Sequence, residues 1–130
     1  MKVSLQGKSN GSLWKEEFIK MLKIDHVDLG ERNRSLIDFH NEDKELCNFH
    51  LYVLTPNTIN FYSIAELIDD SNKSPEKTMY VHYSTDRDKR FNKEQVESLY
   101  QITEMVKSNG GRVFFTLNCV ATFLNNQEIQ

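Results

Sequence analysis

The sequence predicts a single α/β domain in which a parallel sheet of about five strands is covered by helices on both faces. Three observations support this class. Apolar strand-like stretches alternate with helical patterns joined by short links. The run from Phe49 to Leu54 is almost wholly apolar, which is typical of a strand covered on both faces. The length, 130 residues, suits one domain with one hydrophobic core.

Five short stretches rich in β-forming residues account for the predicted sheet. Each is bounded by glycine, proline or polar residues, which interrupt strands. The third is the most apolar and ends at Thr55-Pro56. The predicted strands are Val3–Leu5, Ile24–Leu29, Phe49–Leu54, Thr78–Tyr83 and Val113–Thr116.

The segments between the strands carry apolar residues at helical spacing. Ser12, Ser63 and Asn92 are of the types that cap helix starts. Pro75 and the pair Gly110-Gly111 stand where helices end. The predicted helices begin after Ser12, near Gly30, at Ser63, after Asn92 and at Leu117, and end near Leu22, Glu45, Ser74, Asn109 and Leu124. We expect residues 85–90 to form a solvated loop and residues 125–130 to be frayed.

Composition narrows the classes of function. The net charge is -3 with both signs interspersed, which argues against binding to nucleic-acid polymers or anionic membranes. No apolar run is long enough to span a bilayer, and no secretory signal is visible, so we expect a cytoplasmic protein. Cys47 and Cys119 lack metal-binding spacing and are expected to be small buried residues in a reducing compartment. No metal or cofactor is predicted.

Ligands of such sheets bind at the carboxyl ends of the strands. The first loop there, Gln6 to Ser12, contains two glycines and leads into a helix N-terminus, which attracts anions. It is neither the dinucleotide fingerprint nor the P-loop. An ordinary polar βα turn explains its spacing equally well.

The second loop, Pro56 to Tyr62, leads to Glu66 and allows two interpretations. Ser63 and Glu66 fit a capping box, with Tyr62 and Leu67 as its hydrophobic staple. Alternatively, Glu66 is a nucleophile, because a helix N-terminus favours the ionised carboxylate that such a role requires. The two differ in reach: a capping side chain folds back on the backbone, whereas a nucleophile points into a pocket.

Four segments of the chain carry a family resemblance. They are Asn10-Gly11-Ser12-Leu13-Trp14-Lys15, Leu51 to Pro56, Tyr62-Ser63-Ile64-Ala65-Glu66 with the following Asp69 to Thr78, and Asn109-Gly110-Gly111. Over most of its length the chain resembles the nucleoside 2-deoxyribosyltransferase-like proteins, particularly a short bacterial and phage branch. The resemblance implies a flavodoxin-like three-layer sandwich.

The resemblance also implies an activity, cleavage or transfer of the N-glycosidic bond of a nucleoside or nucleotide. Glu66 aligns with the nucleophile of the family and would form a glycosyl-enzyme intermediate, as in retaining glycosidases. Family sites often include a residue of a neighbouring subunit, which implies a homo-oligomer. The implied substrate-binding residues, some of them backbone groups of the first loop, are Gly7, Ser9, Asn10, Trp14, Asn60, Tyr62 and Ser63. Trp14 shares the apolar stripe of its helix, so a core position is the alternative for it.

Asn48 and Asn60 stand where family members commonly carry aspartates, and Lys15 stands where an arginine is common. Asn48 is the implied catalytic partner of Glu66, yet an amide donates a hydrogen bond and cannot deliver a proton. Asp69 and Asp70 are a possible second carboxylate or else a solvated helix face. Two other functions therefore stay open: a catalytically impaired protein that binds a nucleotide or an ADP-ribose-like ligand, and a structural domain in which Glu66 is only a cap.

Overall fold

The structure is a computed structural model that describes residues 1–30 and 43–127. Its strands are β1 (Lys2–Leu5), β2 (Asp25–Asp28), β3 (Phe49–Leu54), β4 (Thr78–His82), β5 (Thr85–Asp86), β6 (Lys89–Arg90) and β7 (Arg112–Val113). Its helices are α1 (Trp14–Met21), α2 (Phe61–Lys73), α3 (Lys93–Asn109) and α4 (Leu117–Gln127), with a 3-10 turn at Pro75–Lys77.

Five of the strands form one parallel sheet in the order β2-β1-β3-β4-β7. Counted along the sheet-forming strands this is the 2-1-3-4-5 order of the flavodoxin-like fold. The chain crosses from β1 to one edge, returns to β3 and continues to the other edge. The predicted fold class, an α/β sandwich with a five-stranded parallel sheet, is therefore confirmed.

The two faces of the sheet bury different kinds of side chain. On one face Val3, Leu51 and Met79 pack in a cluster with residues of α1 and α4. On the other face Tyr52 and Tyr80 pack with residues of α2 and α3. Alternation along β1 and β3 also turns Ser4, Gln6 and His50 to this second face, where all three are buried. The second face is thus apolar at Tyr52, Leu54 and Tyr80, and polar over β1 and at His50.

Most predicted elements are confirmed, with differences at their ends. The last strand is shorter than predicted, and residues 85–90 form the antiparallel hairpin β5–β6 rather than an open loop. Residues 125–127, expected to be frayed, lie in α4, where Asn125 Oδ1 accepts from Lys23 N and Asn125 Nδ2 donates to Met21 O; residues 128–130, also expected to be frayed, lie outside the described residues. Residues 43–45 of the predicted helix over 30–45 are helical, and residues 31–42 lie outside the described residues.

Helix ends follow sequence signals in part. Asn92 and Gln95 form a full capping box at the start of α3, and Gly110 closes that helix in the left-handed conformation, with φ of 97°. The N-cap of α1 is Leu13 rather than Ser12, although the Ser12 hydroxyl accepts a bond from Trp14 N at 3.3 Å. Cys47 is buried as expected, but Cys119 is exposed. Across residues 1–30 and 43–127, no helix has the length and apolarity needed to cross a bilayer.

Candidate functional site

The strand order reverses direction between β1 and β3, and the loops that follow these two strands meet at that point. Gly7 lies in the first loop with a φ of +79°, a conformation that favours glycine. A Cβ on Gly7 would lie 3.7 Å from Ser63 Oγ, at the start of α2. A Cβ on Gly30 would lie 1.7 Å from Gly7 O, so the two glycine backbones are in close contact. The predicted loop therefore sits directly beside α2.

A buried lysine holds this loop in place. Lys15, on α1, donates through Nζ to the carbonyl oxygen of Gly7 and to Asp28 Oδ1, the latter at 2.8 Å. The Lys15 side chain is 5% exposed and that of Asp28 is 32% exposed. The ion pair links the end of β2 to the loop after β1, so Lys15 has a structural role at the site.

The start of α2 corrects the predicted capping box. The N-cap is Asn60, whose Oδ1 accepts from Ser63 N at 2.7 Å, so the helix begins at Phe61. Glu66 therefore lies in the second turn and does not cap the helix. Asn60 is the N-cap because its backbone is extended, as an N-cap requires. Ser63 lies inside the helix and is buried.

Glu66 belongs instead to a buried charged network. Lys44 Nζ lies 3.4 Å from Glu66 Oε2 and 2.5 Å from Asp70 Oδ2. Tyr52 OH donates to Asp70 and accepts from Lys44 Nζ at 3.3 Å. The side chains of Lys44, Glu66 and Asp70 are 13%, 8% and 13% exposed. Buried charges are tolerated when they are paired in this way.

A second polar group lies beside this network on β1 and β3. His50 Nδ1 and Ser4 Oγ are 2.8 Å apart, and Gln6 Nε2 donates to Ser4 Oγ at 2.7 Å. Gln6 Oε1 is buried and has no hydrogen-bond partner within the described parts of the chain. Burial, assisted by the charge of Lys44, lowers the pKa of His50 to about 4, so its ring is neutral at pH 7.

A cavity of about 290 Å³ borders both polar groups. Lys44, His50 and Asp70 contribute to its wall, and Ser74 and Lys77 lie at its far side. The cavity is predominantly polar and carries charges of both signs. Because His50 pairs with Thr78 at the start of β4, the cavity lies at the amino ends of these strands, and it reaches Lys44 and Asp70 of the network but not Glu66 itself.

The structure brings together some of the predicted site residues. Ser63 and Glu66 are buried on the same face of the first two turns of α2, three residues apart. Gly7, in the loop after β1, packs against this face at Ser63. Tyr62 is on the first turn of the same helix and is 52% exposed. Ser9 and Asn10 lie on the loop after β1, and Asn10 has a φ of 46°.

Three other predicted residues lie elsewhere or have another role. Asn48 lies at the amino end of β3, on the side of the sheet opposite to the loops after β1 and β3, and its Oδ1 accepts from Lys2 N at 2.9 Å. Asn60 serves as the helix cap. Trp14 is 5% exposed and packs in the apolar cluster of the other face, which confirms the core alternative for its side chain.

Sequence reasoning missed Lys44 and Tyr52 and underrated Asp70. Asp69 is exposed and pairs with Lys73 at 3.1 Å, as a solvated helix face predicts, but Asp70 is buried in the network. The spacing of Glu66 and Asp70, four residues on one helix, was a usable signal that they share a face. Lys44 comes from a polar and only weakly periodic segment, so no local pattern indicated it as a site residue.

The network sets an upper limit on the distance between two carboxylates. Both contact one ammonium, at 3.4 and 2.5 Å, so their nearest oxygens are at most about 6 Å apart.

Comparisons of the chain with protein-family models, with curated proteins and with solved structures find no match. Among the described residues there is also no group of three or more His, Cys, Asp or Glu side chains placed to hold a metal ion.

Proposed function

We propose that this protein cleaves or transfers the N-glycosidic bond of a nucleoside or nucleotide, with Glu66 as the nucleophile. One observation carries the proposal: Glu66 is buried against Lys44 behind the loops of the switch point and does not cap its helix. Its sequence context, Tyr62 to Glu66, is also the most specific part of the resemblance to the nucleoside 2-deoxyribosyltransferase-like family.

In the first step the Glu66 carboxylate attacks the anomeric carbon of the sugar. A carbon–oxygen bond forms, the carbon–nitrogen bond breaks, and the base departs with the electron pair and takes up one proton. In the second step water or another base attacks the same carbon and releases Glu66. Lys44 orients the carboxylate for this attack, and the backbone of Gly7 lines the approach beside Ser63.

Asp70 with Tyr52 is the better candidate for the proton donor. The Asn48 side chain is occupied by Lys2 N, and the Asn60 side chain is occupied by Ser63 N. Tyr52 OH donates to Asp70, and both contact the ammonium that contacts Glu66. The Tyr52 hydroxyl, held by Asp70 and Lys44 close to the nucleophile, is the group that we propose as the donor to the departing base.

The test is base release from a panel of ribo- and deoxyribonucleosides and their phosphates. Wild type should release base from at least one member, and Glu66→Gln should be inactive because the amide is not a nucleophile. A slowly reacting fluorinated nucleoside should add its sugar mass to the peptide that contains Glu66. Asn48→Asp should not raise the rate. If wild-type protein releases no base from any member, the proposal is wrong.

A binding function is the second candidate, and one observation favours it: Lys44 already compensates Glu66 and Asp70, so the network is stable without chemistry. In that case a nucleotide or an ADP-ribose-like molecule would bind in calorimetry without turnover, and Glu66→Gln would bind it equally well. The cytoplasmic location and the homo-oligomer remain part of the proposal. Light scattering of the purified protein tests the second of these.

A further inference from the structure

A second cavity lies away from the Glu66 network, at the carboxyl ends of β4 and β7. It measures about 360 Å³ and opens between the sheet edge and α3. Its wall includes His82, Tyr100, Thr103, Lys107 and Phe115. We call it the His82 cavity. Cavities of about 300 Å³ or more, mostly apolar with a few placed polar groups, are typical small-molecule sites.

His82 supplies a fixed polar group in this cavity. Its Nδ1 lies 3.2 Å from Tyr80 OH and 3.5 Å from Thr103 Oγ1, and the Thr103 hydroxyl donates to Leu99 O at 2.9 Å. No residue in the described ranges hydrogen-bonds its second ring nitrogen, Nε2. Burial lowers the pKa of His82, so the ring is neutral at pH 7 and Nε2 can donate or accept, depending on the tautomer.

Aromatic rings surround this nitrogen. The His82 ring packs edge-to-face against Tyr100 at 6.0 Å and tilted against Tyr80 at 5.6 Å. Tyr100 is 61% exposed and Phe115 is 93% exposed, so each presents ring surface that the fold does not use. Both rings are therefore available to stack on a bound molecule.

We infer that the His82 cavity binds a planar heteroaromatic molecule. Its rings would stack on Tyr100 and Phe115, and one polar edge would hydrogen-bond His82 Nε2. The cavity lies at the carboxyl ends of β4 and β7, away from the switch point between β1 and β3. The inference does not depend on the proposed function, because the Glu66 network is built on β3 and α2 and the His82 cavity on β4, β7 and α3.

Benzimidazole is a suitable probe, with cyclohexanol as the non-aromatic control, followed by amide chemical shifts in NMR. The shifts should cluster around Thr103, Val113 and Phe115. Tyr100→Ala should weaken binding about two- to tenfold, because the bound ring loses a stacking partner. Tyr100 is exposed, so this variant should fold.

Two matched variants complete the test. Met105→Ala removes a half-exposed apolar side chain of the same helix that does not line the cavity, and it should leave binding unchanged. Glu66→Gln should bind benzimidazole as tightly as wild type does, whatever its activity in base release. The inference is overturned if benzimidazole causes no clustered shifts at millimolar concentration, if cyclohexanol binds equally well, or if Tyr100→Ala binds like wild type. The inference is also overturned if the amide shifts around the cavity change with protein concentration and not with benzimidazole, because a second copy of the chain would then occupy the cavity.

Discussion

At the scale of single residues, two adjacent aspartates of α2 have different environments. Asp69 is exposed and forms a helix-surface pair with Lys73, which is worth only about 0.3–0.5 kcal/mol. Asp70, one residue on, is buried and contacts both Tyr52 and Lys44. The rotation of the helix by one residue places Asp70 toward the sheet. Only Asp70 is therefore in position to act with Glu66.

The stability of the protein should fall in mild acid because of His50. Its pKa is about 4 in the folded protein and about 6.5 when unfolded, so between these values only the unfolded state takes up the proton. Stability contributed by the neutral ring is present above pH 6.5 and is lost as pH falls toward 4. From pH 7 to pH 5 the loss should be about 2 kcal/mol.

Urea unfolding at both pH values measures this loss. His50→Gln should lose about 2 kcal/mol less than wild type over the same interval. His82→Gln is the matched control, since His82 is a second histidine whose pKa burial lowers, and it should leave the His50 contribution in place. Equal pH dependence in wild type and His50→Gln would contradict the prediction.

At the scale of elements, the sequence predicted the strands better than the helix starts. The strand Phe49–Leu54 was predicted to the residue, because an apolar run between polar segments has few other solutions. The start of α2 was placed three residues late, because Asn60 and Ser63 both have the side-chain chemistry of a cap. Local sequence does not decide between two capable caps. The packing of Ser63 against the loop after β1 decides between them, because it places Ser63 inside the helix and leaves Asn60 as the cap.

Capping of α2 provides a direct test of this correction. Asn60→Ala should destabilise the protein by about 1 kcal/mol, because Ser63 N loses its acceptor at the helix N-terminus. Ser63→Ala should cost less, since its hydroxyl caps nothing. Thermal unfolding of the two variants side by side gives the comparison. A larger loss for Ser63→Ala than for Asn60→Ala would restore the capping box predicted from sequence.

The contact between the loops after β1 and β2 should tolerate no side chain at Gly30. A Cβ there would overlap Gly7 O, so Gly30→Ala must separate two backbone segments, and we expect a loss above about 4 kcal/mol or failure to fold. Gly11→Ala is the matched control. Its Cβ would meet nothing within 4 Å, and only its φ of +90° is unfavourable, at about 1–2 kcal/mol. Similar losses for both variants would refute the close contact.

At the scale of the whole molecule, one part of the interior is polar. The second face of the sheet buries Tyr52, Leu54 and Tyr80 in its apolar cluster, but it also buries Ser4, Gln6 and His50 beside the charged network. These residues come from segments far apart in sequence, and each segment alone has an ordinary pattern. Their assembly depends on parallel pairing of β1 with β3, so it could not be predicted before the strand order was known. Such a polar interior costs stability and is expected where function requires it.

The balance between stability and function can be measured on the network itself. Lys44→Met leaves Glu66 and Asp70 without their shared cation and should cost about 3–5 kcal/mol. The triple variant Lys44→Met, Glu66→Met, Asp70→Leu removes all three charges with similar volume. It should recover that loss and can exceed wild type by about 1–4 kcal/mol, because buried ion pairs are often less stabilising than apolar packing. It should also be inactive in base release. Urea unfolding, with near-UV circular dichroism to confirm the native fold, gives both values. If the triple variant is less stable than Lys44→Met alone, the charges are needed for the fold and not only for the site.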